Sequence, residues 1–131
     1  KKRDTPMPIT DYTFENRIFF AKESGLITRE DAQTWSVRLK AATEASETPI
    51  VALVDAMDVT FIDRVAQRIF QESSHFDNLL AVIVATNRSA ALQSETIGLL
   101  GKRGYTRVLG SLEEATQEAG EILSQHRTAS V

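Results

Sequence analysis

Three aspartates, Asp55, Asp58 and Asp63, follow directly on the apolar run Ile50-Val51-Ala52-Leu53-Val54. Open α/β sheets gather their ligand sites at the carboxyl ends of strands, and three carboxylates there could hold Mg²⁺. A plainer reading has Asp63 capping a helix while Asp55 and Asp58 shape a solvated loop. It is favoured because no phosphate-cradling loop accompanies the acids. Nucleophilic chemistry has less support. The chain has no Cys, and neither His75, after a predicted helix end, nor His126, in the tail, has a nucleophile elbow of the form G-x-S-x-G to serve. Gly98, Gly101 and Gly104 recur every third residue but lie at the end of a predicted helix, whereas phosphate binding uses free amides at a helix start. Arg64 and Arg68 are four apart and so share a helix face, extended by Gln71 and Glu72. That strip is either a docking surface for an acidic partner or an ordinary solvated face, and taken alone the second is the plainer choice. No catalytic residue, metal site or cofactor is expected.

Composition sets the frame for these residues. The chain has 131 residues, 42% hydrophobic and 25% charged, which suits one folded domain. The absence of Cys excludes disulfides and thiolate metal sites. A formal charge of −3 argues against a uniformly basic nucleic-acid surface. No apolar run approaches the ~20 residues of a membrane helix. No signal peptide opens the chain, so a cytoplasmic location is expected; because the first residue is Lys, a start upstream of Lys1 is left open.

The elements that must position the candidates can be placed from period and capping. Residues 1–10 read as a loose lead-in, residues 11–125 as a single domain and residues 126–131 as a frayed tail. Aromatic and β-branched residues on both sides of Glu15-Asn16-Arg17 predict a hairpin whose second strand ends near Ser24-Gly25. Thr28 to Ser46 reads as a helix: Thr28 and Asp31 form a capping-box variant, and Ala32, Trp35, Leu39 and Ala42 make one apolar face. The run from Ile50 to Val54 lacks polar alternation, as in a strand buried on both faces. A second helix capped by Thr60 or Asp63 places Val65, Ala66, Ile69 and Phe70 inward. Leu79 to Ala85 is another buried strand. Ser89 to Lys102 is a third helix with Leu92, Leu99 and Leu100 inward, stopped by Gly104. Arg107 to Leu109 is a short strand. Ser111 and Glu114 form a capping box for a last helix with Leu112, Ala115, Ala119 and Ile122 on one face. The order β-β-α-β-α-β-α-β-α implies an α/β fold with a mainly parallel sheet and an antiparallel first edge strand. The expected core is Phe20, Trp35, Leu39, Val51, Leu53, Phe61, Ile69, Val82, Val84, Leu100 and Ile122.

The stretch from Asp55 through Val59, Phe61 and Ile62 to Asp63 resembles the signature of the STAS domain, the sulphate transporter and anti-sigma-factor antagonist family (SpoIIAA-like). In that pattern a hydrophobic strand, an Asp and a short loop lead into V-x-F-[IM]-D-S-S-G at a helix start. Gly25, the run Leu80 to Ala85, Leu99-Leu100 with Gly104, Arg107 to Leu109 and Leu112 to Ala115 follow in the same order, so the resemblance covers about Tyr12 to Leu123. The segment Gly25-Leu26-Ile27-Thr28-Arg29-Glu30-Asp31 is also similar to the lipid-binding-like branch of the superfamily. The resemblance implies a STAS-like fold and a regulatory, non-enzymatic, protein-binding role of the anti-sigma-factor-antagonist kind. The first Ser after the motif Asp is the phosphorylated residue of that family. Here Arg64 stands in its place, with Val65 and Ala66 for the next Ser and Gly. Arg64 cannot accept phosphate, so the ordinary phospho-switch is not expected at this position.

The resulting expectation is a domain that docks a protein partner through the loop after the third strand and the second helix, using Asp58, Thr60, Asp63, Arg64 and Arg68. A homodimer is compatible with it; a nucleic-acid partner and a membrane span are not expected. The rival reading is a carrier of a small apolar ligand or lipid held between sheet and helices.

Overall fold

The structure, a computed structural model, describes residues 9–86 and 106–130. The predicted helix from Ser89 to Lys102, with Gly98, Gly101 and Leu100, and Gly104 after it lie outside the described residues, as do residues 1–8 of the predicted lead-in; Ile9 and Thr10, also read as lead-in, are instead the first residues of the first strand, paired with Glu23 and Lys22. Strands β1 (Ile9–Glu15) and β2 (Ile18–Ile27) form the hairpin. Helix α1 (Arg29–Ala45), strand β3 (Ile50–Ile62), helix α2 (Arg64–Ser73), strands β4 (Leu79–Ala85) and β5 (Thr106–Leu109) and helix α3 (Leu112–Ser130) follow. The sheet runs β1-β2-β3-β4-β5; β1 and β2 pair antiparallel and the remaining pairs are parallel. His126 falls within α3, whose helical backbone continues through the residues read as a frayed tail as far as Ser130.

Local chemistry explains most of the boundaries. The hairpin turn is the pair Asn16-Arg17, both at positive φ (54° and 66°), the geometry that suits the right-handed twist of a two-residue hairpin. Arg17 tolerates this conformation because its Nε donates to the Pro49 carbonyl (3.0 Å) and its own carbonyl accepts from the Val51 amide (3.0 Å), which anchors the turn at the start of β3. The α1 capping box is reciprocal: the Thr28 hydroxyl accepts from the Asp31 amide (3.3 Å) and the Asp31 carboxylate accepts from the Thr28 amide (2.9 Å). No basic residue sits in the last turn of α1. Its terminal carbonyls are met instead by the Asn78 side-chain amide, which donates to Thr43 (2.9 Å), Ser46 (2.9 Å) and Thr48 (3.3 Å).

Two apolar layers sandwich the sheet. On one face α1 and α2 bury Ala32, Trp35, Leu39 and Ala66 against Phe19, Ala21, Ile50, Ala52, Val54 and Val82. On the other, α3 buries Ala115, Ala119 and Leu123 against Val51, Leu53, Ala81 and Ile83. Trp35, Leu39, Val51, Leu53 and Val82 are buried as expected, and Phe20, Ile69, Val84 and Ile122 are partly buried against these clusters.

Three expectations are corrected. Residues 55–62 are strand, not loop, because β2 does not stop at Gly25. It continues to Ile27 and pairs Ser24 with Asp58, Gly25 with Val59, Leu26 with Phe61 and Ile27 with Ile62. Gly25 sits at positive φ (66°) where the register shifts, a conformation that lets the ladder resume past a bulge. Phe61 is not core but 60% exposed: β4 ends level with Asp55, so the far end of β2 and β3 overruns the body of the sheet. Val65, expected inward, is exposed in the first turn of α2.

Candidate functional site

The three aspartates do not converge. Asp55 is buried, pairs in register with Lys22, and lies 3.7 Å from the Lys22 ammonium, while its other oxygen accepts from the Met57 amide (3.2 Å). Asp58, exposed on the overrun, lies 3.5 Å from the same ammonium. A single Lys thus occupies the position between the two carboxylates and neutralises the charge a divalent cation would need. Asp63 is turned to another task. Its carboxylate accepts from the amides of Val65 (3.0 Å) and Ala66 (3.4 Å) and is the α2 cap. Among the described residues no group of three metal-capable side chains forms. Of the two capping candidates named from sequence, Asp63 does the work and Thr60 is an exposed strand residue.

Arg64 and Arg68 are both exposed, and neither pairs with a carboxylate among the described residues. Arg64 is the first residue of α2, where the helix dipole disfavours a cation. Arg64→Ser is therefore expected to leave the fold intact or raise its stability by a few tenths of a kcal/mol, read as an unchanged or slightly higher melting temperature. A clear loss would assign Arg64 an internal ion pair. Val65, next to Arg64 in the first turn of α2, is an exposed apolar side chain, and so are Phe61 and Leu26, register partners on the overrun. Ile27 and Ile62 pack on the face of α1 and α2, so strand alternation puts Leu26 and Phe61 on the opposite face. His75 is an exposed turn residue just past α2.

Sequence reasoning missed Lys22. Its signal was present: the adjacent charges Lys22-Glu23 interrupt an otherwise apolar strand, which requires a partner on each face. Lys22 finds Asp55 and Asp58, whereas Glu23 is buried on the other face and its Oε2 finds no hydrogen-bond partner among the described residues.

No protein-family model matches the chain, and no curated protein matches it. Among solved structures it is similar to that of an uncharacterised protein of the DUF3478 family from Shewanella loihica PV-4, described as having a SpoIIAA-like fold. The likeness has a TM-score of 0.63 at 16% identity and covers 88% of this chain and 96% of that one. It shows the fold: a SpoIIAA-like α/β architecture, as the order of motifs implied. No helix among the described residues is long and apolar enough to cross a membrane.

Proposed function

We propose that this domain acts by binding a protein partner and not by catalysis, and that the docking surface is the exposed strip of α2 with the strand end beside it. Arg64 and Arg68 supply charge, Val65 and Phe61 apolar contact, and Asp58 and Thr60 the polar edge. Asp63 contributes as the cap that holds Arg64 in place. The observation that carries this reading is the exposure on one helix face of two arginines that pair with no carboxylate among the described residues, with Val65 exposed in the same first turn. Two like charges on one helix face steer and orient an acidic partner. Arg64 occupies the place of the family's phosphorylated Ser, so the surface carries a fixed positive charge where that family has a switchable negative one. The carrier reading lacks a comparable observation: Trp35, Leu39 and Ile50 are fully buried between α1 and the sheet.

The double change Arg64→Glu with Arg68→Glu tests the proposal. Both side chains are exposed, so the circular-dichroism spectrum and melting temperature should be retained. Capture of the partner that the unchanged protein retrieves from its host lysate should be lost, and in the unchanged protein the association rate should fall as salt rises. Retention of the same partner by the reversed-charge protein places the functional surface elsewhere.

A further inference from the structure

Glu23 is 2% exposed in the second strand, and its Oε2 has no hydrogen-bond partner among the described residues. The same is true of Tyr12 Oη on β1 and Trp35 Nε1 on α1. Phe19 links Tyr12 and Trp35, with its ring 5.9 Å from the first and 6.4 Å from the second, and the charge of Glu23 is felt at Tyr12. An isolated carboxyl in such a place keeps its proton, because burial penalises the anion and no donor compensates.

The charged groups around it among the described residues do not relieve this. From α1, Asp31 adds a second negative charge, and Arg38 is engaged over the Tyr12 ring, 4.4 Å from its centroid. From β1 comes only the Tyr12 phenol, itself pushed up to about 12, chiefly by burial. The neighbouring stretch of β3 brings Ala56 and Met57, and α2 brings Phe70 against Trp35. Lys22 faces the other side of the sheet. Burial first, and Asp31 second, raise the Glu23 carboxyl from 4.5 to about 8.

Wherever the proton leaves, the carboxylate must reach water, and the structure offers one easy route. Among the described residues β1 is the outermost strand, hydrogen-bonded on one side only, with Ile9 opposite Glu23. Its ladder is already broken by a bulge between Thr10 and Thr13, where Asp11 sits at positive φ (54°). β2, by contrast, is held on both sides. Edge elements with few neighbours open at lower free energy than the body of a sheet.

We propose that Glu23 makes the outer strand a proton-controlled flap: with the carboxyl neutral, β1 lies closed over β2 and α1, and loss of the proton frees β1 while the sheet from β2 to β5 stays folded. The direction follows from linkage. The unfolded or open carboxyl ionises at its ordinary value and the closed one only near 8, so closure is fully favoured at low pH and is lost as pH rises through the closed-state value. Opening would uncover Tyr12, Phe19 and Trp35 along the seam between sheet and α1.

Amide hydrogen exchange of the intact chain tests this, with protection factors corrected for the intrinsic pH dependence of exchange. Between about pH 6.5 and about pH 9, protection of the β1 amides should fall at least about tenfold, while β3 and β4 keep theirs. Glu23→Gln removes the titration, and its β1 protection should stay flat; Glu23→Met supplies a second uncharged side chain if the Gln variant folds poorly. The emission of Trp35 should shift to the red over the same pH range in the unchanged protein alone. A flat β1 profile in the unchanged protein, an equal loss in β3 and β4, or a fall that persists in the Gln or Met variant would overturn the proposal.

Discussion

Trp35→Ala is expected to lower the unfolding free energy by about 3–5 kcal/mol, the largest loss of any single truncation in this core. Trp35 is fully buried and joins three elements: its ring meets Phe70 of α2 edge-on at 4.8 Å and Phe19 of β2 at 6.4 Å. Truncation removes the transfer energy of the indole and leaves a cavity between two helices and a sheet, none of which can close it alone. Trp35→Phe should be far milder, about 1–2 kcal/mol, because it keeps most of the apolar volume and removes an indole N–H that has no partner among the described residues. Urea unfolding followed by far-ultraviolet circular dichroism separates the two. A loss below about 1 kcal/mol for the alanine variant would mean that the α1–α2 seam repacks freely.

Asn78 carries the second large effect. One side-chain amide serves three carbonyls at the end of α1, its backbone sits at positive φ (69°), and its own carbonyl accepts from the Ile50 amide at 3.0 Å. Asn78→Gly keeps the backbone conformation and loses the donor, for an expected loss of about 1–2 kcal/mol. Asn78→Ala adds the left-handed penalty and should lose about 2–4 kcal/mol. Asn78→Asp retains the shape but turns an acceptor with a full charge toward those carbonyls, and should be the worst of the three at neutral pH. Thermal melts of the three variants give the order Gly, Ala, Asp; a harmless Asp variant would show that the amide does not hold the end of α1.

What was legible in the sequence was what neighbours in the chain decide. The Asn16-Arg17 turn, the Thr28–Asp31 box, the Asp63 cap and the run from Leu79 to Ala85 depend on residues a few positions apart, and all lie where period and capping put them. The end of β3 does not. Its polar residues Asp55, Asp58 and Thr60 look like loop, and only the pairing offered by β2 beyond Gly25 makes them strand. The same overrun explains why Phe61, read as core from its type, stands in solvent. Asn78 has no local signal at all, since its acceptors lie 30 to 35 residues away. In the candidate site, spacing sufficed to put Arg64 and Arg68 on one face, whereas the distribution of the aspartates between an ion pair and a cap required the register of β2 against β3.

The single residue Asp63 between β3 and α2 leaves no loop beneath the proposed docking surface. A loop over residues 55–62 would lose its freedom on meeting a partner, at a cost on the order of 10 kcal/mol if every residue were fixed in that step. As strand, those residues are ordered in the free molecule, and the backbone beneath Arg64 and Arg68 stands ready before any encounter. Association then restricts only long side chains, at about 0.5–1.5 kcal/mol each. For the proposed partner the surface would act as a preorganised template, its affinity reflecting contact quality and the lifetime of the complex the dissociation rate more than any folding-upon-binding step.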